Sequence, residues 1–424
     1  MKRFIFLVFC LAFSAHAEYP IERVGGSHAV ITTHTMTRLT DSAKQLELFK
    51  PAYIQTGGPY PGRGLTNGYS KFSNESPDGK YFLGFSTQGS ELGLYRADGT
   101  FMRRLTHKLP DGRIAGLGEF YDVRWANASS LIYHSGPVLY WQDAATGTEL
   151  PVYTFNSNII AENHADQTAK YRLVKLASKD VYLVDLKELT AKKMPWTSGS
   201  SMDISPDDEW VYRDASPYDA VGPQFWGIPE LLAGNALPVT VPCNTVGHDG
   251  FSFNAKGQSV YVFFNNRDDF ITFFDPHTSE TIKTLNMKET GYSPAPGFHF
   301  GRIQNPEIRG WTLVSSYGGA GWINDQLFLL HTSGKIIRLG ASACTYRFPL
   351  ASTVTDVKTA RYFAENFAGI SPDGQRVYVG GNGQGTENLN VWRLTLPDKW
   401  WNPPTLEQRV ADLENRVLKL ESKP

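Results

Sequence analysis

Short apolar runs, many with alternating polar residues, recur along the chain, and each follows a polar turn. The clearest turns read Ser76-Pro77-Asp78-Gly79 and Ser371-Pro372-Asp373-Gly374. Each leads into a run of β-branched and aromatic residues, which is typical of a strand. The seven copies begin at Ser76, Ala126, Ala165, Ser205, Asn254, Asn305 and Ser371. The pattern therefore predicts seven related strand units.

Successive copies lie roughly 40 to 65 residues apart, which is close to the length of a four-stranded propeller blade. Closure into a ring is favoured because an open array would leave unpaired strand edges. We therefore predict an all-β fold, a seven-bladed β-propeller over residues 18–403. Six or eight blades remain alternatives, since the long interval before Ser371 has room for another hairpin. Residues 30–39 alternate in part and predict a strand that completes the last blade.

The two ends of the chain differ from the repeats. Lys2 and Arg3 precede a short apolar run, and Ala15-His16-Ala17 has the small residues of a cleavage site. This pattern predicts a signal peptide over residues 1–17 and export to the periplasm or the medium. Cys243 and Cys344 would then reach an oxidising compartment, where they either form a disulfide or remain separate buried thiols.

The tail, residues 404–424, carries a heptad pattern of apolar residues. These residues are Leu406, Val410, Leu413, Val417 and Leu420. Arginine and glutamate flank the apolar positions in two successive units, as in short trimeric coiled coils. We predict a C-terminal coiled-coil helix that forms a homotrimer through residues 406–420. The alternative is an amphipathic helix that packs on the propeller of its own chain.

Composition excludes several classes of function. The formal net charge is −1 at pH 7, and such a balance gives no electrostatic footprint for nucleic acid or an anionic membrane. Beyond the N-terminus, no run is apolar enough to predict a transmembrane segment. The chain also has no phosphate-binding loop, no nucleophile elbow and no cysteine-rich metal motif.

Candidate site residues come from the loops that enter the innermost strands, because these loops converge on the central channel of a propeller. His248, His299 and Glu365 each lie six residues before the start of a copy. Equal offsets place the three side chains around one mouth of the channel. Further polar residues lie near other starts or in the glycine-rich loop 57–64, namely Arg302, His164, Tyr69, Lys71 and Arg63.

This arrangement allows three interpretations. His248, His299 and Glu365 have the residue types of a divalent metal site. Alternatively, the histidines act as acid and base on an anionic ligand whose carboxylate is held by Arg302 or Lys71. In the third interpretation, these polar groups only satisfy the backbone in a narrow wet channel.

At these residues the chain resembles the exported propellers related to oligogalacturonate lyase and other polysaccharide lyases. One similar stretch runs from Gly247-His248-Asp249 through His299-Phe300-Gly301-Arg302 to Gly310-Trp311. The other runs from Tyr362–Ala368 through the turn that follows to the strand Asn390–Leu394. In that family, channel histidines hold a metal or act near an acidic sugar. Its members usually show Glu-Pro-His-Ala where this chain has Glu365-Asn366-Phe367-Ala368.

The resemblance implies β-elimination on a uronic-acid polysaccharide or oligosaccharide. Arg302, Lys71 or a metal would neutralise the sugar carboxylate, and His248 or His299 would remove the proton. Tyr69 or the second histidine would assist the leaving oxygen, while Arg63 and His164 would contact the substrate. Two rival hypotheses are a non-catalytic, multivalent scaffold of the cell envelope and a propeller hydrolase or oxidoreductase with a metal or cofactor in the channel.

Overall fold

The structure is a computed structural model of the whole chain. It describes residues 19–23, 29–31, 36–40, 65–66, 73–86, 92–109, 112, 114–117, 123–160, 170–197, 202–213, 222–243, 246–265, 268–290, 297–317, 323, 325–341, 367–381, 390–402 and 410.

Three strands precede the first blade, and they are β1 (Tyr19–Arg23), β2 (Ala29–Ile31) and β3 (Met36–Arg38). Blade one contains β4 (Leu65–Thr66), β5 (Tyr81–Ser86), β6 (Leu92–Arg96), β7 (Phe101–Lys108) and β8 (Ile114–Gly116). Blade two contains β9 (Arg124–Trp125), β10 (Ser130–Ser135), β11 (Val138–Asp143) and β12 (Glu149–Thr154). Blade three contains β13 (Ile159–Ile160), β14 (Tyr171–Leu176), β15 (Asp180–Asp185) and β16 (Thr190–Thr197).

Blade four contains β17 (Met202–Ile204), β18 (Trp210–Arg213), β19 (Gln224–Gly227) and β20 (Val239–Thr240). Blade five contains β21 (Val246–Phe253), β22 (Ser259–Asn265), β23 (Phe270–Asp275) and β24 (Glu280–Asn286), followed by a 3-10 helix (Met287–Thr290). Blade six contains β25 (Gly297–Gly301), β26 (Trp311–Tyr317), β27 (Gln326–His331) and β28 (Lys335–Ala341). Blade seven contains β29 (Gly369–Ile370), β30 (Arg376–Gly381) and β31 (Asn390–Thr395).

These strands form seven antiparallel sheets, so the seven-bladed propeller predicted from the repeats is confirmed, and the six- and eight-bladed alternatives are wrong. Within each blade, successive strands lie side by side. The first strands of neighbouring blades lie innermost, as the contacts between β21 and β25 show. The start of each first strand therefore lies at one face of the ring, and the turn after it lies at the other face.

An N-terminal strand completes the last blade, as the alternation over residues 30–39 predicted. Strand β3 pairs antiparallel with β31, and Leu39 N donates a hydrogen bond to Val391 O at 2.8 Å. Strands β1 and β2 were not predicted. They extend blade six, because β1 pairs with the outer strand β28.

A second link joins blade seven to blade one through buried charge. The Glu75 side chain is fully buried, and Arg376 Nε donates to its Oε2 at 2.8 Å. The Tyr378 hydroxyl donates to the same carboxylate. Arg376 Nη2 also lies 2.7 Å from Asp373 Oδ2. Strand pairing and this buried ion pair together hold the ring closed.

The Ser-Pro-Asp turns have one repeated geometry that explains their recurrence. Ser76 Oγ donates to Asp78 Oδ1 at 2.7 Å and accepts a hydrogen bond from Tyr81 N at 3.1 Å. The same bonds recur around Ser205 and Ser371. The turn thus fixes the step from the first strand of a blade to the second.

Aromatic and aliphatic side chains fill the spaces between blades. In β22 the alternate residues face opposite neighbours: Val260 and Val262 pack with Phe300 of blade six, whereas Tyr261 packs with Tyr212 of blade four. Every other residue of a central strand therefore contacts one particular neighbouring blade.

Blade four departs from the plain pattern where the sequence becomes irregular. A short helix, α1 (Ile228–Ala233), lies between β19 and β20, with a proline in its first turn. It ends at Gly234, whose φ of 84° is the left-handed conformation that favours glycine. The helix buries Ile228 and Leu231 in the core cluster that Trp196 and Trp226 share.

Several sequence predictions lie outside the described residues. These are the signal peptide at residues 1–17 and the coiled-coil seam, of which only the exposed Val410 is described. Cys243 is buried, and Cys344 is not among the described residues, so their pairing stays a prediction. Within the described part of the chain, no helix has the length and apolar character needed to cross a bilayer.

Candidate functional site

Two histidines from neighbouring blades meet where the innermost strands begin. His248 lies near the start of β21, and His299 lies in the corresponding strand β25. Their ring centroids are 4.3 Å apart. His248 and His299 are therefore neighbours, as their equal offsets from the repeat starts predicted.

His299 is enclosed by other rings. Its side chain is fully buried, its ring stacks on Tyr317 at 4.9 Å, and the Phe367 ring lies 4.5 Å away on a tilted plane. Phe367 is itself fully buried. An apolar ring thus packs on His299 at the position where the resembling lyases usually carry a histidine.

His248 is half-buried, and one of its polar neighbours is a tyrosine that the sequence analysis did not single out. The hydroxyl of Tyr317 lies 3.4 Å from His248 Nε2. Tyr317 ends β26, directly opposite Gly297 of β25. A Cβ atom at Gly297 would overlap the Tyr317 ring, so glycine makes the space that this ring occupies. In the sequence, only this glycine indicates that a large side chain lies opposite it. That side chain can be identified as Tyr317 once the strand register is known.

Arg302 directly follows β25 in blade six, and it is tied to blade four, two blades away. Its Nη1 donates to Asp203 Oδ1 at 3.0 Å, and both side chains are buried. The guanidinium also lies over the ring of Phe251, 5.6 Å from its centroid. Burial lowers the pKa of Arg302 to about 9, and the Asp203 carboxylate favours the charged form. The arginine is therefore a cation at neutral pH that is buried against its own counter-charge.

The remaining sequence candidates lie outside the described residues. They are Glu365, Tyr69, Lys71, Arg63 and His164. The structure thus places His248, His299 and Arg302, and the roles of the other five stay predictions.

A metal site of the kind found in the resembling lyases does not assemble from the described residues around His248 and His299. The described rings that pack on His299 are a phenol and an apolar ring, which do not complete a set of imidazole and carboxylate ligands, and Glu365 lies outside the described residues. Among the described residues, a group of three potential metal ligands occurs elsewhere, at Asp207, Glu209 and His277. No step of the chemistry below is therefore assigned to a metal in the channel.

A separate concavity lies beside the turn of blade six and the end of the propeller. Its volume is about 380 Å³, and it is lined by Glu307, Arg309, Lys399, Trp401 and Asn402. Trp401 is half-buried, whereas the adjacent Trp400 is buried and donates to Gly374 O at 2.7 Å. Of these two tryptophans, only Trp401 lines this pocket.

Comparison with known proteins supports the fold. No protein-family model matches the chain, and no curated protein sequence matches it either. An oligogalacturonate lyase solved in complex with manganese aligns with a TM-score of 0.55 at 14% identity, covering 91% of this chain and 99% of its own. The oligogalacturonate lyase of Vibrio parahaemolyticus aligns with a TM-score of 0.58 at 11% identity, covering 91% and 98%. The resemblance to these lyases is confirmed at the level of the fold: the chain shares their β-propeller.

Proposed function

We propose that this propeller acts on a uronate-containing carbohydrate by β-elimination at the rim formed by His248, His299 and Tyr317. The observation that carries the proposal is the approach of the Tyr317 hydroxyl to His248 Nε2, at 3.4 Å. It joins a candidate base to a candidate acid at the mouth of the channel. The fold shared with two oligogalacturonate lyases supports an acidic sugar as the substrate class.

β-Elimination needs a base and an acid on the same substrate. In the proposed reaction, His248 Nε2 takes the C5 proton, the C4–O bond breaks, and a C4–C5 double bond forms. The departing oxygen receives a proton from the Tyr317 hydroxyl. Such positioned acid–base groups typically contribute about 10²- to 10⁴-fold in rate. His299 is fully buried, so it acts as a positioning residue that fixes the Tyr317 ring.

The substrate carboxylate must be neutralised before C5 becomes acidic. Arg302 is buried and paired with Asp203, which suits a positioning role in the channel wall. We assign carboxylate neutralisation to Lys71, with Arg63 and His164 as further substrate contacts, on the sequence grounds given above. Tyr69 is the alternative acid.

A panel of uronate polymers tests the proposal. Purified protein is incubated with pectate, alginate, ulvan and glycosaminoglycans, and the unsaturated product is followed by its ultraviolet absorbance. We expect product from at least one polymer, and an activity loss of about 10²-fold or more in His248→Gln. His331→Gln, which changes a histidine in an outer turn, is the matched control and should retain activity. Absence of product from every uronate, with and without added divalent metal, would contradict the lyase assignment.

One observation favours a second function, a non-catalytic carbohydrate-binding scaffold. Phe367 packs on His299 where the resembling lyases usually have a histidine, so a lyase-type site is altered in this chain. A trimer through residues 406–420 would then raise avidity for a repetitive polymer. Oligouronate binding without product, together with a trimeric mass in light scattering, would support this function over the first. Export through residues 1–17 belongs to both proposals and is checked by N-terminal sequencing of the mature protein.

A further inference from the structure

The structure assigns a divalent transition-metal site to the junction of blades four and five, with Asp207, Glu209 and His277 as ligands. Asp207 and Glu209 lie in the turn between β17 and β18, and His277 lies in the turn between β23 and β24. The candidate ligand atoms all lie within 4.8 Å of one another. Bonds of about 2.0 to 2.2 Å to nitrogen and oxygen ligands fit within that span.

The hydrogen bonds of His277 orient its ring for a metal. The carboxylate of Asp275 is 3.0 Å from Nδ1, and its other oxygen accepts from Asn254 Nδ2 at 2.9 Å. The Asp275 carboxylate is placed to accept the Nδ1 proton, which leaves Nε2 as the metal-binding atom, an arrangement common among metal-bound histidines.

Two polar groups lie against Nε2 of His277. Glu209 Oε2 is 2.7 Å from this nitrogen, and the indole N–H of Trp210 points at it from 3.1 Å. Because the Trp210 N–H faces the lone pair of Nε2, the carboxylate approaches that nitrogen favourably only when a proton or a metal ion lies between them. Imidazole with carboxylates is a donor set that suits ions such as Zn²⁺ and Mn²⁺.

The equivalent turns of blades one and seven carry a cation where blade four does not. In blade one the turn carboxylate Asp78 pairs with Lys80 Nζ at 2.8 Å, and in blade seven Asp373 pairs with Arg376 at 2.7 Å. In blade four the residue at the position of Lys80 is Glu209, so a second carboxylate replaces the cation. Among the described side chains, no lysine or arginine pairs with Asp207 or Glu209. A bound divalent ion would supply the missing positive charge.

A buried hydroxyl beside the cluster gives a separate indication of a ligand. The Ser259 side chain is fully buried, and its Oγ has no hydrogen-bond partner among the described residues. Ser259 N donates to Asp207 Oδ2 at 2.7 Å. Alternation along β22 turns this side chain toward blade four, as it does for Tyr261. The hydroxyl is therefore placed to complete the ligand set or to hydrogen-bond a metal-bound water.

This site lies at the opposite ends of the inner strands from His248, roughly 20 Å away along β21 at the usual rise per residue. Metal binding at this site and carbohydrate chemistry at the rim can therefore be tested independently. Because the ligands come from two blades, an ion would stabilise the junction between them by its binding free energy.

Metal titration of the folded, metal-stripped chain tests the site. ZnCl₂ and MnCl₂ are titrated by calorimetry, with intrinsic tryptophan fluorescence and melting temperature as further readouts. We expect one ion per chain, a rise in melting temperature with metal, and at least about tenfold weaker binding in His277→Gln. His248→Gln is the matched control and should keep the full stoichiometry. An unchanged stoichiometry in His277→Gln, or no ion bound by the wild-type chain, would overturn the assignment.

Glu209→Lys is the sharper variant, because it gives blade four the turn chemistry of blade one. Glu209 is half-exposed, so the change should not prevent folding. We expect the variant to fold with a melting temperature that no longer responds to metal. Mn²⁺ bound to the wild-type chain should also show imidazole nitrogen coupling in pulsed electron paramagnetic resonance, and His277→Gln should lose it. A metal response that persists in Glu209→Lys would contradict the assignment.

Discussion

The hydroxyl of Tyr317 lies 3.4 Å from Nε2 of His248, so two polar groups from neighbouring blades meet at the start of the innermost strands. If this pair performs the elimination, Tyr317→Phe removes the proton donor and keeps the ring that stacks on His299. We expect kcat to fall about 10²-fold with KM nearly unchanged. Steady-state kinetics on the most active uronate polymer checks this.

Tyr153→Phe is the control for that change, because Tyr153 is a half-buried tyrosine in the outer strand β12 of blade two. Its kinetics should match the wild type. Equal activity of Tyr317→Phe and the wild-type chain would show that Tyr317 takes no part in the reaction.

Gly297 determines where the Tyr317 ring can lie. A Cβ atom at this position would overlap the ring, and the tyrosine side chain can swing away at little cost to the fold. We therefore expect Gly297→Ala to lower activity to nearly the level of Tyr317→Phe while the melting temperature changes little. The double variant should be no worse than either single one, because both act through the same hydroxyl. Additive losses in the double variant would contradict this positioning role.

The buried ion pair between Glu75 and Arg376 closes the ring, so its removal should lower the stability of the whole propeller. Glu75→Gln keeps the shape but leaves the partly buried Arg376 with only Asp373 as a carboxylate partner. We expect the free energy of unfolding to fall by about 3 kcal/mol, as for other broken buried pairs. Urea denaturation measures the change.

Lys80→Gln is the matched control, since it breaks an ion pair with Asp78 in which the lysine is largely exposed. That variant should unfold at the same urea concentration as the wild type. A Glu75→Gln midpoint equal to that of Lys80→Gln would show that the buried pair does not hold the ring together.

His134 of β10 should make stability fall in mild acid. Burial, and then the charge of Arg172, lower its pKa from 6.5 to about 4. Between these two values the unfolded chain binds the proton and the folded chain does not. The free energy of unfolding therefore decreases as pH falls from about 6.5 to 4, by up to about 3 kcal/mol from this group.

Urea denaturation of the wild type and His134→Gln at several pH values isolates that contribution from the carboxylates, which both proteins share. We expect the difference between the two free energies of unfolding to change between pH 7 and pH 4.5, with the wild type losing more. Parallel pH profiles would show that His134 titrates alike in the folded and unfolded chains.

The fold could be predicted from the sequence because each blade repeats the same local chemistry. The Ser-Pro-Asp turn fixes the step between the first two strands, and equal offsets from it predicted that His248 and His299 would be neighbours. The additional strands β1 and β2 could not be predicted, since their pairing with β28 depends on the closed ring. Helix α1 is too short to give a periodic pattern.

The site was less predictable than the fold because its partners lie far apart in the sequence. No pattern in the chain links Arg302 to Asp203, whose buried pair joins blades six and four and appears only in the assembled ring. Tyr317 was missed for a similar reason: it belongs to the second strand of its blade, and the offset rule considers only residues that precede the turn after the first strand. The packing of Phe367 on His299 likewise depends on the closed ring.

The most direct test of the site is an oligouronate titration followed by the imidazole resonances of histidine-labelled protein. We expect a saturable shift of the His248 ring signals, which are assigned by their absence from the spectrum of His248→Gln, while the His277 signals at the opposite face stay unchanged. Saturable oligouronate binding that leaves the His248 resonances unshifted would contradict a binding site at His248.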